Sequence, residues 1–312
     1  MIKKLLIVII FFQNFQSISY SSEKLIWIKY KVNDDLITNF DIFKEKQYLK
    51  ALNNDLETLA ENQLIKIAEN SLIKEKIRKN EIEKYYNVNY NSDAVNFFIE
   101  DLRKKLGINS QSDFEKYLAN YQIDFEELRS KFIIEQTWNK MIISIYEERI
   151  LIDEKKISEK LEKSIKEKSN QKSYNISEIV FFEKNVEDFK KKYDEIIISI
   201  EKLGFEKTAA IYSISNTANE NGRIGWVNQS QLSKKILNEL QELPIGSFTR
   251  PINTAGGALL LYLNDTKEVL IENIDKELEL SNIITAEKNR QLNEFSIIHY
   301  KKTEKKSYVK KF

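Results

Sequence analysis

Chain breakers are confined to one stretch of this sequence. Six of the seven Gly and both Pro of the 312 residues lie between Gly204 and Gly257. Gly and Pro are the residues least tolerated inside helices, so the long segments without them are free to form uninterrupted ones. The distribution predicts helices over most of the chain and one compact unit of short elements and turns. Apolar residues make up 42% and aromatics 11%, enough for a sizeable core and against wholesale disorder. Cys is absent and His299 is the single His. Disulfide frameworks, thiol catalysis, iron–sulfur clusters and Cys or paired-His metal sites are thereby excluded, and no cofactor is expected. A Ser-His-Asp triad would rest on that one His, which speaks against it. Lys and Arg number 49 against 48 Asp and Glu, so net charge gives no reason to expect nucleic acid.

Lys3 and Lys4 precede an apolar run from Leu5 to Phe12, and small polar residues follow at Ser17, Ser19 and Ser21. This is the order of a secretory signal. The run is far shorter than the ~20 residues that span a hydrocarbon core. Residues 1–21 are read as a cleaved signal peptide, which in a bacterium places the mature chain in the periplasm without stable membrane insertion. A retained N-terminal anchor is the other reading of the same run.

Ile26, Ile28, Tyr30 and Val32 alternate, a turn follows at Asn33-Asp34-Asp35, and a second short strand leads to a helix capped at Thr38 or Asn39. Leu56, Leu59, Ala60, Leu64, Ile67, Ala68 and Leu72 recur at helical spacing. So do Val95, Phe98, Ile99, Leu102 and Leu106, with Gly107 as a stop. Ser112 with Glu115 reads as a capping box, and Asp124 with Glu127 opens another helix that runs through Trp138. Tyr85, Tyr86 and Tyr90 fall in a loop-like stretch, where exposed aromatics would suit unfolded polypeptide. Residues 39–168 are expected to be almost wholly helical.

From about Ser169 the order changes: strand-like Tyr174–Phe182, a helix over Val186–Leu203, a Gly-punctuated stretch, a short helix near Leu232–Leu240 and strand-like Ala258–Leu263. Past Asp265 the pattern is helical again. It closes on an alternating run, Phe295–Tyr300, read as a strand, and on a basic tail, Lys301–Lys311, read as a solubilising end. A lone terminal strand needs a partner. The nearest is the hairpin at 26–32, so the chain ends are expected to meet. The expected division is residues 22–170 as a helical domain, 171–267 as an α+β unit, and 268–312 as a helix and strand returning to the first part.

The run Tyr212-Ser213-Ile214-Ser215-Asn216-Thr217-Ala218-Asn219-Glu220-Asn221-Gly222-Arg223-Ile224-Gly225-Trp226-Val227 resembles the central motif of parvulin-type (PpiC-type) prolyl isomerases. Leu243-Pro244-Ile245-Gly246-Ser247, Arg250-Pro251-Ile252 and Gly256-Gly257-Ala258-Leu259-Leu260 continue the likeness, and Asn175–Val180 resembles the first parvulin strand. The rest of the chain is similar, through order and pattern, to SurA-type periplasmic chaperones. The features are Val32-Asn33-Asp34-Asp35-Leu36-Ile37-Thr38 leading into a helix, the long helical region, and the returning C-terminal segment. One parvulin unit is visible. The fold class implied is mostly α with an inserted α+β parvulin-like domain, the N- and C-terminal segments forming one discontinuous helical domain.

Active parvulins carry His, then Cys or Asp, then a second His at the positions that this chain fills with Glu178, Ser215 and Leu259. Their proline-pocket wall corresponds to Ile224, Leu232 and Ile236, which stay apolar here; ordinary core packing is the other reading of those three. Rotating an X-Pro bond means breaking amide resonance, against a barrier of ~18–20 kcal/mol. A catalyst must hold the twisted amide better than the planar one, through apolar walls and placed hydrogen-bond donors. Leu259 can neither donate nor accept a hydrogen bond. The resemblance therefore implies an ATP-independent holdase for unfolded polypeptide, outer-membrane β-barrel proteins in particular, whose isomerase site is weak or lost. An active peptidyl-prolyl isomerase is the alternative.

Overall fold

The computed structural model describes residues 25–90, 93–166, 171–183, 185–269 and 275–312. The signal expected at 1–21 lies outside these residues.

The chain opens with a hairpin of β1 (Ile28–Val32) and β2 (Asp35–Thr38). Asn33 takes the left-handed turn position, φ 52°, a conformation that Asn tolerates better than most residues. Tyr30, Val32 and Ile37 point inward. Thr38 caps α1 (Asn39–Leu52) in a reciprocal box with Asp41. Then come α2 (Glu61–Ile82), α3 (Asn96–Lys105), α4 (Gln111–Asn120), α5 (Phe125–Tyr146) and α6 (Glu154–Lys166). The Asp124–Glu127 box opens α5 as read from the sequence. The cap of α4 is Ser110 rather than Ser112: its hydroxyl accepts from Asp113 N–H at 3.1 Å. Of the three loop tyrosines only Tyr85 is exposed; Tyr86 and Tyr90 pack against the helical cores.

The breaker-rich unit follows: β3 (Gln171–Phe181), α7 (Val186–Leu203), α8 (Phe205–Tyr212), β4 (Arg223–Asn228), α9 (Lys234–Gln241), β5 (Ile252–Thr254) and β6 (Gly257–Val269). Its strands form one antiparallel sheet in the order β4-β3-β6-β5. One face packs Ile179, Phe181 and Leu260 against Ile196 of α7 and Phe205 and Ala209 of α8. The other packs Val180, Leu259, Leu261 and Leu263 against Leu240 of α9.

The chain then returns along α10 (Lys276–Glu304) to β7 (Val309–Lys311). Phe295–Tyr300 is the last part of α10, not a strand. Ser296, Ile297, Tyr300 and Thr303 are the buried positions there, a spacing of three to four, and no Gly or Pro follows Gly257 to stop the helix. The basic tail is not free either. Val309–Lys311 pairs antiparallel with β1, making a β2-β1-β7 sheet in which the two ends of the described chain meet. The fold is mostly α with an inserted α+β unit, and the N- and C-terminal segments form one discontinuous helical domain.

The return is locked by Trp138. The ring is fully buried on α5, its indole N–H donates to Ser296 Oγ on α10 at 2.9 Å, and the Arg78 guanidinium of α2 lies 5.1 Å from its centre. Trp138→Ala removes the ring and leaves the Ser296 hydroxyl and Arg78 facing a void. We expect a loss of about 3–5 kcal/mol in unfolding free energy by urea titration; a loss below about 1 kcal/mol would mean that the site closes over the gap.

Candidate functional site

Glu178 sits in the middle of β3, opposite Leu261 of β6. The loop between α8 and β4 is sewn along the same strand. Ile214 N–H donates to Val180 O at 2.8 Å, Val180 N–H to Ser213 Oγ at 3.0 Å, and Glu178 N–H to Gly222 O at 2.7 Å. Gly222 is required at this crossing. Its φ is +76°, and a Cβ there would lie 2.3 Å from Glu178 O.

This stitching carries two hydroxyls to one carboxyl. Ser215 Oγ–H donates to Glu178 Oε1 at 2.6 Å and Thr217 Oγ1–H donates to the same oxygen at 2.9 Å. Glu178 is 8% exposed and Ser215 is 0% exposed. Burial pushes the Glu178 carboxyl above its ordinary value, and the two hydroxyl bonds pull it back only in part. Thr217 was not anticipated. The alternation of hydroxyls at Ser213, Ser215 and Thr217 was the signal available for it.

Leu259 shares the sheet face with Glu178 but belongs to different surroundings. It pairs with Val180 and Ile252 and is buried in the apolar cluster of Leu261, Leu263 and Leu240. Leu232 and Ile236 are partly buried against that cluster, whereas Ile224 on β4 is 41% exposed and stands apart from it. The six positions thus fall into three places: a hydrogen-bonded pair, an apolar group and one outlying side chain.

The helical domain grips the same loop. Arg78 Nη2–H donates to Asn216 Oδ1 at 2.9 Å, Asn221 Nδ2–H donates to Asp55 Oδ2 at 2.9 Å, and Arg223 lies 3.6 Å from Asp55. Lys74 Nζ reaches Ile214 O at 3.4 Å. These polar residues carry no periodicity, and nothing in the sequence pattern pointed to them. Among the described residues, no group of His, Asp and Glu could hold a metal ion, and no helix is long and apolar enough to cross a membrane.

Residues 153–265, about a third of the chain, match the family described as Rotamase, PPIC-type PPIASE domain. The chain carries a parvulin-type rotamase domain. It is 27% identical over 95 residues to the periplasmic chaperone PpiD of Haemophilus influenzae, covering 30% of this chain and 15% of that protein. It is 25% identical over 186 residues to the chaperone SurA of Pseudomonas putida, covering 54% of this chain and 42% of that protein. The matches thus span less than half the length of either relative. Among solved structures, a PpiC-type isomerase domain is 30% identical, with 31% of this chain and 93% of that chain covered and a TM-score of 0.27. One of two SurA-like chaperones of Campylobacter jejuni is 16% identical, with 91% and 98% covered and a TM-score of 0.39. The matched domain and the chaperone relatives support a SurA-type chaperone with one parvulin domain.

A raised carboxyl pKa has a definite sign for stability. The folded state holds the Glu178 proton more tightly than the unfolded state. The associated stability is complete below the unfolded value and is lost as pH rises through the folded one. Glu178→Gln keeps an acceptor for Ser215 and Thr217 and cannot ionise. The melting temperature of this variant relative to wild type should therefore climb as pH is raised from about 4 to about 8. A difference that stays flat over that range would show that Glu178 carries no raised pKa.

Proposed function

We propose that the chain is a periplasmic, ATP-independent holdase for unfolded polypeptide, with outer-membrane β-barrel proteins as clients, divided into domains at 22–170, 171–267 and 268–312. In this reading residues 1–21 direct export. Glu178, Ser215 and Leu259 take the places of the parvulin catalytic groups, and Ile224, Leu232 and Ile236 those of the proline-pocket wall.

The observation that carries the reading is the closed Glu178–Ser215–Thr217 cluster. Its hydroxyl protons are directed at a buried carboxyl rather than outward. Leu259, on the same sheet face, has no polar atom to offer. A twisted amide lying over this floor would find neither hydroxyl proton free to stabilise it, and rate enhancement depends on such donors. Binding without chemistry needs only dispersed apolar contact, and Phe97, Leu151 and Ile224 are exposed on separate parts of the surface. Weak contacts of this kind let a client leave without an energy source.

The apolar side chains kept at Ile224, which is exposed, and at Leu232 and Ile236, which are partly buried, favour a second reading, an active isomerase with a working aliphatic groove. Two assays separate them. Light scattering of an unfolded β-barrel protein diluted from denaturant should be suppressed by the chain at stoichiometric amounts. A protease-coupled assay on an X-Pro peptide should run close to the uncatalysed rate. Turnover comparable to ordinary parvulins, lost on combining Ile224→Ala with Leu232→Ala, would establish the enzyme reading; scattering left unsuppressed would remove the holdase one.

A further inference from the structure

The junction between the helical domain and the rotamase domain forms an open-sided cavity of about 330 Å³. Its walls come from α2, α5, α10, the end of β3 and the loop after α8. Most of the charges facing it are already paired. Lys131 holds both Glu45, at 2.6 Å, and Glu75. Lys301 holds Glu304 at 3.0 Å, and Lys192 lies 3.9 Å from Glu183.

Among the described residues, three cations of α2 face the cavity without a carboxylate: Lys66, which lies over the Tyr212 ring at 4.8 Å, and Lys74 and Arg78, one helical turn apart. Arg78 is 8% exposed; one terminal N–H goes to Asn216, but its Nε–H has no hydrogen-bond partner. Lys74 has only the Ile214 carbonyl, at 3.4 Å. Glu135 acts on both Lys74 and Arg78 through its field, and among the described residues it forms no ion pair with either within 4.0 Å. A buried guanidinium N–H left unpaired is costly, and the cost vanishes when an acceptor arrives. The surrounding wall is apolar and aromatic, including Ile67, Ile134 and Tyr212.

We propose that this cavity binds the carboxylate of a polypeptide ligand, with the Arg78 guanidinium and the Lys74 ammonium as its partners. The ligand class follows from charge and size. One guanidinium and one ammonium beside the Glu135 carboxylate match a monoanion, while a dianion would meet the field of Glu135. The volume is at the low end of the ~300–1,000 Å³ of ligand pockets, room for the end of a chain or one side chain rather than for an extended run. The apolar wall suits the residue that bears the carboxylate. Burial and the neighbouring Arg78 lower the Lys74 ammonium to about 7, and a bound anion would restore its charge. The inference rests on the reading of the chain as a polypeptide binder.

The test is fluorescence anisotropy with a short unstructured peptide lacking acidic side chains, made as the free acid, as the C-terminal amide, and as the amide with one Glu near its end. The free acid should bind the full chain about tenfold or more tighter than the plain amide. Lys74→Gln and Arg78→Gln should erase that advantage. If the Glu-bearing amide binds like the acid, the site accepts either source of carboxylate; if it binds like the plain amide, the site reads chain ends. Arg78→Gln removes the cation from the face of Trp138, so Lys74→Gln carries the test if Arg78→Gln fails to fold. Equal binding of the three forms, or no binding of any, overturns the site. Client aggregation measured on the same samples keeps the two readings apart: suppression that persists leaves the holdase standing while the carboxylate site falls.

Discussion

Trp138 is wedged between parts of the chain that lie far apart in sequence. Its indole N–H is satisfied by Ser296, more than 150 residues away (|i−j| = 158), and its face is covered by the guanidinium of Arg78. An indole buried without a partner for its N–H would be penalised, so the bond to Ser296 fixes the rotation of α10 as well as its position. Once α10 lies along α5, β7 is delivered to the free edge of β1 and the hairpin at the start of the chain becomes a three-stranded sheet. The rotamase domain is an insert, rather than an appendage, because of this closure.

The same architecture explains why the loop after α8 is held on both sides. From within, backbone bonds fasten it to β3 around Glu178; from without, Arg78, Asp55 and Lys74 of the helical domain reach its outer face. A carboxyl buried among apolar residues is tolerated when it is neutral and bonded, and the hydroxyls of Ser215 and Thr217 supply the bonds. The cluster is a stable end state of its own. Its carboxyl accepts hydrogen bonds from both hydroxyls. Arg78 connects the two sets of contacts, with one end on Trp138 and the other on Asn216.

Elements with a strong local cause were legible before the structure. The hairpin and its Thr38 cap, the Asp124 box, the strand around Tyr174–Phe182 and the helix over Val186–Leu203 each follow from short-range pattern and appear where expected. The failures are cases where tertiary context chose between local options. Phe295–Tyr300 alternates in sequence, but α5 offers it a helical groove. Ser112 fits a capping box, but Ser110, two residues earlier, is the residue with extended backbone. At the site, the pairing of Glu178 with Ser215 could be anticipated through the family resemblance. The separate burial of Leu259 and the exposure of Ile224 could not, because residue identity says nothing of which neighbours close over it. The contacts between Asn221 and Asp55, and between Arg78 and Asn216, are lone polar pairs across more than 130 residues (|i−j| = 166 and 138) and leave no trace in hydropathy.

The first and last residues of the inserted sheet unit face each other: Gln171 is the register partner of Val269. Antiparallel neighbours are about 4.5–5.5 Å apart at Cα, so the host meets its guest through a doorway one strand-spacing wide. A lineage could lose or acquire the whole lobe by joining the two sides of that doorway with a tight turn, without re-routing α10 or moving Trp138. Gain and loss of modules is thus written into the geometry of a single rung.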